Sequence, residues 1–140
     1  MKKIIAILLT LVLSLSLAAC ANNAPATIPT EDPAKVEATV LGEGETVFSF
    51  SVVELNGKTT HYEIHTNETT VGAALLALGL LEGEEGPYGL YVTAVNGIVA
   101  DYNVDQTYWG FYENGEYALS GVDQTEIVSG TAYSFVQTKG

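Results

Sequence analysis

The chain has 140 residues, 17 of them acidic against five lysines and no arginine, for a net charge of −12. One domain's length with so few cations excludes a phosphate-backbone binder, because nucleic acid is held by Lys and Arg. A single cysteine excludes an intramolecular disulfide and a zinc–thiolate cluster.

Met1-Lys2-Lys3 is a short basic start, and residues 4–19 carry no charge. That run is short for a membrane span and has the length of a signal-peptide core. It closes on Leu17-Ala18-Ala19-Cys20. Small residues before a cysteine resemble the lipobox of bacterial lipoproteins. The resemblance implies removal of residues 1–19, lipidation of Cys20, and a chain anchored in the cell membrane and facing the extracellular side. Losing Lys2 and Lys3 would leave three lysines against 17 acidic residues, a net charge of −14. Such a charge disfavours close contact with anionic lipid, so the lipid is expected to hold a domain that stands off the membrane. With Cys20 lipidated, no thiol remains for nucleophilic chemistry.

Residues 20–35 read as the lipidated cysteine and a tether. Three of the four prolines lie here, with little that is large and apolar. As a flexible coil the tether would span roughly 20 Å. The folded domain is expected over residues 36–140, long enough to bury a core without disulfides.

Residues 47–55 alternate Phe48, Phe50 and Val52, and residues 59–65 alternate Tyr62 and Ile64, which predicts two strands. Asn56-Gly57 lies between them, a hairpin signal. A two-residue turn would pair Phe50 with Glu63 and Phe48 with His65. A three-residue loop, Leu55-Asn56-Gly57 with Gly57 at positive φ, pairs Phe50 with Tyr62 and Phe48 with Ile64. The second register gathers the apolar side chains on one face and is expected. A helix follows, with Thr69 as its cap and Val71, Ala74, Leu75 and Leu78 at 3- and 4-residue steps. Gly79 suits the position past its end, and Gly72 is expected to allow close approach to the sheet. Residues 82–87, Glu-Gly-Glu-Glu-Gly-Pro, read as an acidic surface loop.

The rest reads as β. Strands over 89–95 and 98–102 flank Asn96-Gly97, and strands over 107–113 and 116–119 flank Asn114-Gly115. Residues 131–137 close the domain, with Tyr133 and Phe135 facing inward. The order β-β-α-β-β-β-β-β is an α+β solution: one helix packed on mostly antiparallel sheet.

The chemistry of a hydrolase needs a nucleophile, a base and an orienting group. The two histidines, His61 and His65, share one strand, and no Gly-x-Ser-x-Gly, phosphate loop or dinucleotide fingerprint is present. No enzymatic activity and no cofactor is expected. Three groups of residues offer metal-ligand chemistry. His61, Glu63 and His65 share one strand face, but the ends lie about 13 Å apart at ~3.3 Å per residue, so the three cannot easily hold one ion. Glu82, Glu84 and Glu85 offer hard oxygen ligands without the spacing of a calcium loop. Asp101, Asn103 and Asp105 have that spacing in part, with no Gly or Glu at the later ligand positions. The plain alternatives are a polar hairpin face and solvated turns, so no metal site is assigned.

Aromatic side chains are the stronger feature. Tyr102, Tyr108, Trp109, Phe111, Tyr112 and Tyr117 crowd into one stretch. Alternation puts Trp109 and Phe111 on one face, assigned to the core, and Tyr108, Gly110 and Tyr112 on the other. Two outward tyrosines flanking a glycine make a flat, hydroxyl-bearing surface suited to planar ligands or carbohydrates, unless another strand covers it.

The second half resembles a bacterial domain family related to the C-terminal, or β, domain of transcobalamin and intrinsic factor. The residues that carry it are Gly89-Leu90-Tyr91-Val92-Thr93-Ala94-Val95-Asn96-Gly97, then Tyr108-Trp109-Gly110-Phe111-Tyr112-Glu113-Asn114-Gly115-Glu116-Tyr117-Ala118. Gly121-Val122-Asp123, the closing Tyr133-Ser134-Phe135 and the helix from Thr70 to Leu75 complete it. The match covers about residues 45–138. The family's usual Gly-Asp before the last strand is Gly130-Thr131 here. The resemblance implies a β-grasp-like fold and soluble-ligand binding. In the animal proteins the domain covers one face of cobalamin beside a larger helical domain, which this chain lacks, and no cobalt-ligating histidine is carried over. The expected contacts to a corrinoid-like or other flat ligand are Tyr102, Tyr108, Trp109, Tyr112, Asn114 and Tyr117. The expected role is capture, or hand-over to a transporter. The rivals are a module that docks on an envelope protein or polysaccharide, and a divalent-cation binder.

Overall fold

Phe48, Phe50 and Val52 on one strand and Tyr62 and Ile64 on the next can all reach the core only if the hairpin between them has an odd loop. The computed structural model describes residues 36–140 and has that loop. The expected signal segment 1–19, Cys20 and the tether to residue 35 lie outside the described residues.

Strands β2 (Thr46–Val53) and β3 (Thr59–Thr66) pair antiparallel with Phe48 opposite Ile64 and Phe50 opposite Tyr62. Gly57 has φ 88°, and its N–H donates to Glu54 O at 2.8 Å. A left-handed glycine closing a three-residue loop gives this register. Strand β1 (Thr39–Gly42) lies along β3 in parallel. It was not expected: it is short, exposed and gains its order from pairing rather than from an apolar pattern of its own.

Helix α1 (Val71–Ala77) buries Val71, Ala74 and Leu75. Its cap is Thr70, not Thr69: the Thr70 side chain accepts from Ala73 N–H at 3.3 Å. Thr69 is held otherwise, its carbonyl accepting from Ile127 N–H. Gly79, at φ 68°, follows the last turn as expected. Gly72 does allow close approach, but to the turn at Val122 and Asp123 rather than to a sheet; a Cβ there would lie 2.8 Å from Asp123 Cα.

Residues 82–87 are not a loop. Strand β4 (Leu81–Gly86) pairs with β5 (Gly89–Val95), which pairs with the short β6 (Ile98–Val99). Leu81 anchors β4 in the core while its glutamates face water along an exposed edge, where charge discourages pairing with other chains. Residues 102–105 form a turn of helix, α2 (Tyr102–Asp105), instead of the end of a strand. Asp101 caps it, its carboxylate accepting from Asn103 N–H at 2.9 Å. Then come β7 (Thr107–Glu113), the two-residue β8 (Glu116–Tyr117) and β9 (Ala132–Lys139).

The larger sheet has the order β1-β3-β2-β9-β7-β8, with β9 parallel to β2 at its centre. The smaller is β4-β5-β6. Most pairs are antiparallel and the class is α+β, as expected. Tyr133 and Phe135 of β9 face inward between Phe48, Phe50 and Phe111, with ring centroids 5.1–6.3 Å apart. Two hydrogen bonds tie the sheets together: Tyr62 Oη donates to Asn96 Oδ1 at 2.9 Å, and Trp109 Nε1 donates to Ile98 O at 3.1 Å.

Candidate functional site

Strand β7 has a partner along only part of its outer side. It pairs with β9 over its whole length, but β8 faces only Tyr112 and Glu113. Beside Tyr108 and Trp109 that side stays open. An open strand edge lets side chains from both of its faces border the same space, and a groove lies there. It holds about 410 Å³ and runs between β5, β7 and residues 117–122. Trp109, Phe111, Val122 and Phe135, all core residues, form its deep part. Leu90, Tyr91 and Val92 come from β5, and Tyr108, Tyr117 and Leu119 complete the rim.

Trp109 is 7% exposed and Tyr108 36%, so alternation sends the one inward and the other to the surface. Tyr112 behaves differently from the expected outward platform. It is half-buried, and it meets Tyr117 edge-on at 5.4 Å and 83°. Both rings lie over Gly110, where a Cβ would come 3.1 Å from Tyr112 Cε2 and 3.5 Å from Tyr117 Cε2. The glycine is therefore covered by an aromatic pair instead of flanked by two free rings.

Of the six expected contact residues, Tyr108, Trp109 and Tyr117 border the groove. Tyr112 supports Tyr117 from behind. Asn114 sits at φ 49° in a tight turn and its Oδ1 accepts from Ala132 N–H at 3.2 Å, a turn-holding role. It also borders a second, more polar hollow of about 570 Å³ on the far side of residues 117–120. Tyr102 borders neither hollow; its ring lies against Gly140. Leu119, Val122 and Phe135 were missed as groove residues. The Gly121-Val122-Asp123 run was the one signal that could have brought Val122 in.

The acidic and histidine clusters resolve locally. His65 Nε2 lies 2.8 Å from Glu63 Oε1. Asp101 serves as a cap, and Asp105 accepts from the hydroxyl and the main-chain N–H of Thr107. The Thr107 hydroxyl first, then its N–H, hold the Asp105 carboxyl below the ordinary carboxylate range, with Lys139 adding attraction. Among the described residues, no three His, Cys, Asp or Glu side chains come together so as to hold a metal ion. No described helix is long and apolar enough to cross a membrane.

Residues 68–135 match a family described as a domain of unknown function, DUF4430. No curated protein matches the chain. A solved structure of a candidate metal binding protein from Ruminococcus gnavus ATCC 29149 is similar, with 28% identity and a TM-score of 0.65. That likeness covers 69% of this chain and 99% of the other. Haptocorrin in complex with Cbi is also similar, at 20% identity and a TM-score of 0.51 over 71% of this chain. This chain spans about a quarter of haptocorrin (26%), and at that identity the likeness is one of fold.

Proposed function

We propose that the domain binds a soluble, flat ligand, corrinoid-like or another flat molecule, for capture or for hand-over to a transporter. In this reading the chain is a bacterial surface lipoprotein, anchored through Cys20. One observation carries the ligand reading: a groove of about 410 Å³ reaches down to Trp109, Phe111 and Phe135 without being filled by the protein's own side chains. A hollow of this volume falls within the range of small-molecule sites. Covering such a surface is favourable by roughly 25 cal/mol per Å² of apolar area. A planar ring system laid against Trp109 and Tyr108 would gain aromatic contact as well.

The likeness to haptocorrin supports a fold compatible with this use, since that structure holds Cbi. A β-grasp reading of the fold is supported by the order β3-β2-β9-β7, a hairpin and a second strand pair with two parallel strands at the centre. Binding without catalysis is supported by where His61 and His65 lie: on β3, bordering neither hollow. Titration with a corrinoid is expected to shift both its visible absorbance and the emission of Trp109. A flat response up to high micromolar ligand would contradict the reading. Cys20→Ser is expected to release the protein from the membrane fraction; persistent membrane association would contradict the anchor.

A divalent-cation binder is the second reading, and Asp123 favours it. Its Oδ1 is buried and has no hydrogen-bond partner among the described residues. Ca²⁺ binding there would raise the melting temperature relative to a chelator, by mass action. The rise should vanish in Asp123→Asn.

A further inference from the structure

The register of β7 on β9 fixes which of its main-chain groups turn toward the groove. In an antiparallel pair, residues alternate between exchanging both hydrogen bonds with the neighbour and turning both groups away. Bonds at the two ends of this pair set the phase. Gly140 N–H donates to Gln106 O at 2.9 Å, and Asn114 N–H donates to Ala132 O at 2.7 Å. With Tyr108 opposite Thr138 and Gly110 opposite Val136, the even-numbered residues are the ones bonded to β9. The odd-numbered ones turn their N–H and C=O to the outer side. Ala118 N–H, which reaches Phe111 O from that side at 3.0 Å, agrees.

The chain supplies partners at both ends of this outer row. Thr107 N–H donates to Asp105 Oδ1 at 3.0 Å, and Phe111 O is taken by Ala118. Between them, the main-chain N–H and C=O of Trp109 have no hydrogen-bond partner among the described residues. The indole N–H is engaged elsewhere, on Ile98 O. Trp109 is buried, and buried main-chain groups are rarely left unpaired. The outer side of Trp109 is the groove. A donor and an acceptor therefore stand side by side, aimed into it.

An added β-strand does not fit this edge. A strand would pair at every second residue, and the next positions, Thr107 N–H and Phe111 C=O, are already taken. A compact group with an acceptor and a donor on one edge does fit: a lactam or a primary carboxamide. Such a group accepts from Trp109 N–H and donates to Trp109 C=O, while the flat body that bears it lies against the groove's side chains.

We propose that the main chain of Trp109 recognises the edge of the ligand, and that the ligand is a flat molecule bearing an amide there. This rests on the ligand reading of the groove and adds the chemistry of the ligand's edge.

Two matched pairs of probes test it on the full chain by NMR: 2-quinolinone against coumarin, and 2-naphthamide against methyl 2-naphthoate. Within each pair the flat body is alike and the ester lacks the N–H. The amide of at least one pair is expected to bind about tenfold more tightly than its ester, which leaves Trp109 C=O facing a second acceptor. The pair that shows the preference separates a lactam from a carboxamide. The preferred amide should also shift the Trp109 main-chain N–H signal and slow its hydrogen exchange, with Tyr108 and Gly110, already bonded to β9, unchanged in exchange. Without ligand, the Trp109 amide is expected to exchange faster than those of Tyr108 and Gly110; equal protection would overturn the premise of an unpartnered edge. Equal binding of amide and ester in both pairs would overturn the amide reading and leave the groove standing. Binding of none of the four at millimolar concentration would overturn both.

Discussion

At Gly110 the absence of a side chain decides how two aromatic rings lie. Tyr112 and Tyr117 rest on its backbone, and Tyr117 in turn forms part of the groove wall. A valine at this position would push both rings outward. We expect Gly110→Val to weaken ligand binding severalfold while the far-ultraviolet dichroism stays that of the parent. Unchanged affinity would show that Tyr117 does not shape the site. Strand alternation sets Gly110 between Tyr108 and Tyr112 but leaves Tyr112 free, because the packing of Tyr112 on Tyr117 across a turn has no counterpart in the alternation. Asp105 gives a second prediction at this scale. Its folded pKa is depressed by Thr107, while in the unfolded chain it returns to the ordinary carboxylate range. The unfolded state therefore binds the proton first as pH falls. The Thr107 contacts stabilise fully above the unfolded value and are lost as pH drops through the lower folded one. Thr107→Val should flatten this acid limb of stability against pH; an unchanged profile would remove the hydroxyl from the account.

Helix α1 shows what pattern alone decides and what it does not. Val71, Ala74 and Leu75 at helical spacing placed the buried face correctly, yet two adjacent threonines left the cap ambiguous. The pairing of residues 69–71 with 125–127 resolves it, by using the Thr69 carbonyl and leaving the Thr70 hydroxyl free to accept from Ala73. Thr70→Ala is expected to cost about 1 kcal/mol in denaturant unfolding, and Thr69→Ala much less. The reverse order would contradict the cap. The β2–β3 register was legible because one slip of a residue would have turned Phe48 and Phe50 into water. Strand β4 was not: its Glu-rich sequence reads as a loop, and only its place at the edge beside β5 makes it a strand. Strand β1 was invisible for a related reason, since a parallel partner leaves no local signature in a four-residue segment.

Across the molecule, the groove follows from a mismatch of strand lengths. β7 has seven residues and β8 only two, so β7 is uncovered where Tyr108 and Trp109 lie. The smaller sheet then approaches that open side, held by the bond from the Trp109 indole to Ile98. The aromatic richness of residues 102–117 drew attention to the right strand, and three of its residues do border the cavity. Tyr102 did not follow, because the turn of helix at α2 carries it toward the C-terminal residue instead. The opposite wall, from Leu90 to Val92, comes from a different sheet, and no spacing within the sequence could announce it.

Trp109 is the sole tryptophan, so its indole N–H gives a single resonance from the deepest part of the groove. Two-dimensional NMR of the full chain during titration with a corrinoid reads the claim at its source. Saturable movement of that resonance, together with the Tyr108 and Tyr117 ring signals, is the result expected. A Trp109 resonance that stays in place at saturating ligand, or one that moves only with signals remote from Tyr108 and Tyr117, would contradict a ligand seated in the groove.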